Sequence, residues 1–172
     1  MQKKVEFFTL TLLLIFVFYC ALTIGISWDF EMEVNRGNER LKYILFQNSF
    51  ENYKLASRNI GDQFYPAFYT TLASFIAHMF PKKYEFEIWQ LTNSLFSILT
   101  VFGIYRISSN LFNKKVGKIV FLLCFLNPIF FGHMAMNPKD TIIAFANVWS
   151  TYIFLRYLNN QNRKDKCNRY IL

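Results

Sequence analysis

His133, Lys139 and Asp140 fall within one run, residues 126–144, that also holds two Asn-Pro pairs, Asn127-Pro128 and Asn137-Pro138. An imidazole, an ammonium and a carboxylate at this spacing could move a proton, neutralise a phosphate or hold a divalent ion. Strongly apolar sequence flanks the run on both sides, and ionisable groups at membrane depth are functional candidates by default. A second group, Asp29, Glu31 and Glu33, follows the first apolar stretch. On a helix Asp29 and Glu33 would share a face, and on an extended chain all three would. Each group also has a plainer reading. Asn137, Pro138 and Asp140 suit the N-cap, N1 and N3 positions of a helix start. The acids at 29–33 could be solvated residues beyond a span, and His133 a hydrogen-bonded interfacial histidine.

The elements that must position these residues are apolar and long. Of 172 residues, 53% are hydrophobic and 20% aromatic, while 17% are charged, below the ~25% usual for soluble domains. The hydrophobicity comes in blocks without charge at 7–28, 64–81, 88–105, 119–138 and 141–155. A membrane span takes roughly 17–25 residues. The last block reaches that length if Arg156 snorkels and the span runs to Leu158. The expected class is an all-α, polytopic helical membrane protein.

The first block exceeds the 7–15 apolar residues of a cleaved signal peptide, and an uncleaved signal anchor is expected. Bulky Phe18 and Tyr19 before Cys20 speak against a lipoprotein site. Cys20, Cys124 and Cys167 show no CxxC spacing, so neither a disulfide framework nor a thiolate metal site is indicated. Walker, GxGxxG, HExxH and GxSxG motifs are absent, which removes the familiar soluble nucleotide-binding and hydrolase classes.

The net charge of +8 is distributed as a topology signal rather than a nucleic-acid footprint, which would need one continuous basic face. Basic residues cluster at Lys3-Lys4, from Arg106 to Lys118, and from Arg156 to Arg169. If all five blocks span, five Lys and Arg lie inside and fourteen outside. If block 64–81 does not span, eleven lie inside and eight outside, which satisfies the positive-inside rule. The expected architecture is therefore four transmembrane helices, about 7–28, 88–105, 119–136 and 141–158. The outer loop 29–87 would carry a juxtamembrane helical segment on the outer leaflet. The N-terminus and the basic tail 159–172 would be cytoplasmic, and both polar groups would face outward. Arg36, Arg40, Lys42, Lys54 and Arg58 are expected mainly on the polar face of an amphipathic helix.

The order of these features is more specific than any one of them. A span leads to an acidic group, a Tyr65-Pro66 stretch, the span from Trp89 to Tyr105 and the basic run 106–118. A further span then enters Asn-Pro, Phe-Gly-His and Asn-Pro-Lys-Asp. This order resembles the N-terminal part of GT-C glycosyltransferases. The likeness is to bacterial members of the protein O-mannosyltransferase, aminoarabinose transferase and Rgt-like group. The resemblance implies sugar transfer from a polyprenyl-phosphate-sugar donor at the outer face of an inner membrane. It implies Asp29 as general base and Asp140 as a second catalytic carboxylate. The family pattern often has an adjacent Asp-Glu pair, whereas Phe30 here separates Asp29 from Glu31. Lys139, Arg36 and Arg58 would stabilise the leaving phosphate, and His133 with Glu31 could join a divalent metal site. Family members are longer, so the 1–158 domain is expected to belong to a truncated or split enzyme completed by a C-terminal half. The alternative is a non-catalytic small membrane scaffold or lipid-headgroup-binding protein. The sugar, acceptor and oligomeric state are not written in the sequence.

Overall fold

The computed structural model describes residues 2–27, 30–47 and 68–169, with side chains over 7–27, 30–47 and 68–161. Among the described residues the chain is helical, without strands. The helices are α1 (Gln2–Thr23), α2 (Phe30–Ile44), α3 (Phe68–Ala77), α4 (Glu85–Leu111), α5 (Lys114–Phe125), α6 (Pro128–Met136) and α7 (Pro138–Arg169). A short 3-10 turn, Lys82–Tyr84, leads into α4. The chain divides into two compact units, residues 1–95 with 133–138, and residues 96–132 with 139–172.

The first unit is built on the buried face of α2. Phe30, Glu33, Val34, Gly37, Arg40 and Leu41 recur at the three- and four-residue spacing of one helical stripe. The stripe meets Tyr69, Thr70, Ala73, Ser74 and Ala77 of α3 and the fully buried Trp89 of α4. Gly37 sets the closeness of this packing. A Cβ there would lie 2.5 Å from the Thr70 carbonyl oxygen and 2.9 Å from Trp89 Cζ2, and would strike Ser74 Oγ. Phe30 packs on Phe86 and edge-on against Trp89, with ring centroids 6.3 and 6.1 Å apart. Helix α2 closes with Phe46 at φ 57° and a Gln47 N–H to Lys42 carbonyl bond of 2.9 Å. That is the left-handed C-cap usually given to glycine.

In the second unit, the later part of α4 packs on α7. Phe96 meets Phe145 edge-on at 5.0 Å, and the Trp149 indole donates to the Leu99 carbonyl at 3.2 Å. Gly103 leaves room for Val148, which a Cβ would meet at 2.6 Å. Asn113 caps α5 by accepting from the amides of Lys115 and Val116 at 2.9 and 3.0 Å.

Among the described residues, one helical stretch, Lys82–Leu111, is long and apolar enough by itself to cross a membrane. It contains the expected span 88–105. The expected single span 119–136 is instead two helices, α5 and α6, bent by 67°. The cause is local: Pro128 supplies no amide proton and disfavours helical backbone at the preceding residue. Asn127 then caps the new helix, accepting from the Phe130 amide at 3.0 Å. Pro138 begins α7 in the same way, so both Asn-Pro pairs mark helix starts. The apolar parts 7–23 and 68–77 are shorter helices. At 1.5 Å per residue, ten-residue α3 covers about 15 Å, half the ~30 Å hydrocarbon thickness.

Candidate functional site

The most polar buried region of the first unit lies where α2, α3 and the start of α4 meet. Glu33 and Arg36, one turn apart on α2, form an ion pair at 2.5 Å with side chains 4% and 11% exposed. Arg40, a further turn along, is buried and donates to Thr70 Oγ1 of α3 at 3.0 Å. Asn38 donates to Glu85 Oε1, at the start of α4, at 2.6 Å. Removing one partner from a buried ion pair strands the other charge, at a cost of about 3–5 kcal/mol. The sequence reading put these cations on an exposed face. The structure turns Arg40 toward α3, holds Arg36 against Glu33 on α2 and leaves Lys42 outside, paired with Glu39 at 2.7 Å. The reason is register: residues 33, 37 and 40 share one side with Phe30, Val34 and Leu41, so the polar groups enter with the apolar stripe.

A second network ties α3, α4 and the segment 133–138 together. Asn93 of α4 is fully buried. Its amide donates to the Met134 carbonyl at 2.9 Å, and its oxygen accepts from the Tyr69 hydroxyl at 3.4 Å. Burial pushes the Tyr69 phenol well above its ordinary pKa, which keeps it a neutral donor. Gln90, one turn before Asn93, donates to the Ile24 carbonyl at 3.3 Å. Ser27 donates to the Met136 carbonyl at 3.4 Å. The end of the first apolar helix and the His133–Pro138 segment are thus held in one unit.

The expected site residues fall as follows. Asp29 and Arg58 lie outside the described residues. The chain on either side of Asp29 is anchored, by Ser27 on Met136 and by Phe30, which is 1% exposed. Glu31 is exposed in the first turn of α2. His133 is exposed, with its Nδ1 3.5 Å from the Asn137 amide nitrogen. In the second unit, Lys139 is half-buried and Asp140 is the exposed acid in the first turn of α7. Among the described residues no group of three or more His, Cys, Asp or Glu side chains is placed to hold a metal ion. Sequence reasoning missed Asn93, Gln90 and Tyr69 altogether. The available signal was amide and hydroxyl residues (Gln90, Thr92, Asn93, Ser94, Ser97) concentrated within an otherwise apolar helix, where each needs a partner.

The family model for dolichyl-phosphate-mannose-protein mannosyltransferases matches residues 66–167, more than half of the chain. The chain belongs to this family. Its members are glycosyltransferases of the GT-C type, which work in membranes. The matched range includes α3, the Asn93 network, both Asn-Pro helix starts, Lys139 and Asp140, while Asp29 and α2 precede it. No curated protein and no solved structure matches the chain.

Proposed function

We propose that the chain transfers a sugar from a polyprenyl-phosphate donor to a hydroxyl acceptor at the outer membrane face, alone or as part of a larger enzyme. Asp29 is the general base. Its carboxylate takes the acceptor proton as the acceptor oxygen bonds to the anomeric carbon, and the bond from that carbon to the phosphate oxygen breaks with inversion. The polyprenyl phosphate departs with the bonding electrons, and a cation or metal stabilises its charge. Lys139 and Arg58 supply positive charge. Arg36, whose charge Glu33 offsets, anchors α2. Asp140 supports the phosphate.

The observation that carries this reading is the Ser27–Met136 hydrogen bond. It holds the segment entering Asp29 beside the segment that carries His133 and leads toward Lys139. In the accompanying topology, α1, α4, the bent pair α5–α6 and the apolar part of α7 span the bilayer. The helices α5 and α6 have 12 and 9 residues, roughly 30 Å of helix at 1.5 Å per residue, enough for one broken span. The segment 29–87 and the 133–140 region then share the outer side. The test is transfer of labelled sugar from a polyprenyl-phosphate donor by the reconstituted enzyme. Asp29→Asn should abolish it with membrane insertion intact, and Asp140→Asn should slow it on the order of 100-fold. Transfer retained in Asp29→Asn would remove the proposed base.

A further inference from the structure

Within the first unit, a cavity of about 280 Å³ opens between the later part of α2, the end of α3 and the start of α4. Asn38 and Lys42 line it from α2. His78 and Phe80 line it from the turn after α3, and Lys82 and Glu85 from the entry to α4. The volume is just below the ~300–1,000 Å³ of drug-sized ligand pockets, which suits one ring rather than a chain.

The polar atoms around it are of both kinds. Asn38 must turn its NH₂ toward the Glu85 carboxylate, at 2.6 Å, because the reverse orientation would set oxygen against oxygen. Its Oδ1 is buried from solvent, without a hydrogen-bond partner among the described residues, and does not open onto the cavity. Glu85 is an acceptor. The His78 Nδ1 lies 2.8 Å from the Ser74 carbonyl, which requires the proton on Nδ1 and leaves Nε2 an acceptor in the neutral ring. Lys42 gives one hydrogen bond to Glu39 and carries further ammonium protons, and Lys82 adds another donor. Phe80, 48% exposed, offers an apolar ring face.

An inorganic anion would want donors alone and would be repelled by Glu85. A metal ion would be repelled by the two lysines. A ligand whose every hydroxyl both donates and accepts, and whose C–H face can lie on an aromatic ring, meets all of these demands together. We infer that this cavity binds a neutral sugar ring. This inference does not rest on the sugar-transfer reading above.

The test is saturation-transfer NMR on the full chain in nanodiscs, without any polyprenyl donor. The probes are methyl α-mannoside, mannose 6-phosphate and inorganic phosphate. Methyl α-mannoside should bind saturably, and inorganic phosphate should not compete with it. Phe80→Ala and Asn38→Leu should each weaken binding roughly fivefold or more. Glu85→Gln, which keeps the side-chain shape, should weaken it while the thermal unfolding temperature stays near that of the wild-type chain. Asp29→Asn should bind the sugar unchanged, so loss of transfer and loss of this site are read separately. No saturable binding by any probe would overturn the inference. So would binding unaffected by all three cavity variants, or full displacement by inorganic phosphate.

Discussion

At the scale of single residues, a few positions carry far more than their types suggest. Asn93 satisfies both ends of its amide in the interior, on the Tyr69 hydroxyl and the Met134 carbonyl. Asn93→Leu removes both of these hydrogen bonds, each worth about 0.5–1.5 kcal/mol net. The detergent-solubilised variant should melt clearly earlier, and an unchanged melting temperature would show that Asn93 does not couple these segments. Gly37→Ala should destabilise by roughly 1–3 kcal/mol, because its Cβ would press on the Thr70 backbone oxygen, which cannot rotate away. Phe46 points the other way. It is 97% exposed in a left-handed conformation that costs a non-glycine residue about 1 kcal/mol. Phe46→Gly should therefore raise the denaturation midpoint. None of the three was legible beforehand. A sequence lists an asparagine, a glycine and a phenylalanine, but not the distant atoms each must meet.

At the scale of elements, the Asn-Pro pairs decide where helices begin. Both were visible as punctuation. The first lies inside the expected span 119–136, where apolar length argues for one continuous helix. The structure gives the local rule priority at 127–128, where the missing amide proton and the capping side chain together turn the helix axis by 67°. Replacing the pair by Ala-Ala restores the amide and removes the cap. Spin labels at exposed Ile119 and Ile129 should then move apart as α5 and α6 straighten, with the distance read by pulsed EPR. An unchanged distance would assign the bend to packing, such as that of Phe131 on Phe125 at 6.1 Å, rather than to the proline. For α2 the helical period was readable, but not which side of it would be covered. The side that α3 covers is the one carrying Glu33 and Arg40.

At the scale of the whole molecule, the proposed topology makes the loop 106–118 cytoplasmic and the segments 29–87 and 134–140 external. In a variant lacking Cys20, Cys124 and Cys167, a cysteine at exposed Asn113 should resist an impermeant thiol reagent in intact cells and react in inverted vesicles. Reaction in intact cells would reject the four-span arrangement.

The sequence by itself determined the helical class, the apolar blocks and the resemblance to a glycosyltransferase family. All of these depend on composition and on features near in the chain: helical hydrogen bonds close over four residues, and a proline acts on its immediate neighbours. The tertiary structure alone decided which polar groups went inside. Glu33 and Arg40 are buried because α3, some thirty residues later, covers them. Asn93 is satisfied because a carbonyl forty-one residues away meets its amide. The free energy of a buried polar group depends on its partner, and a partner that distant is set by packing and not by local sequence.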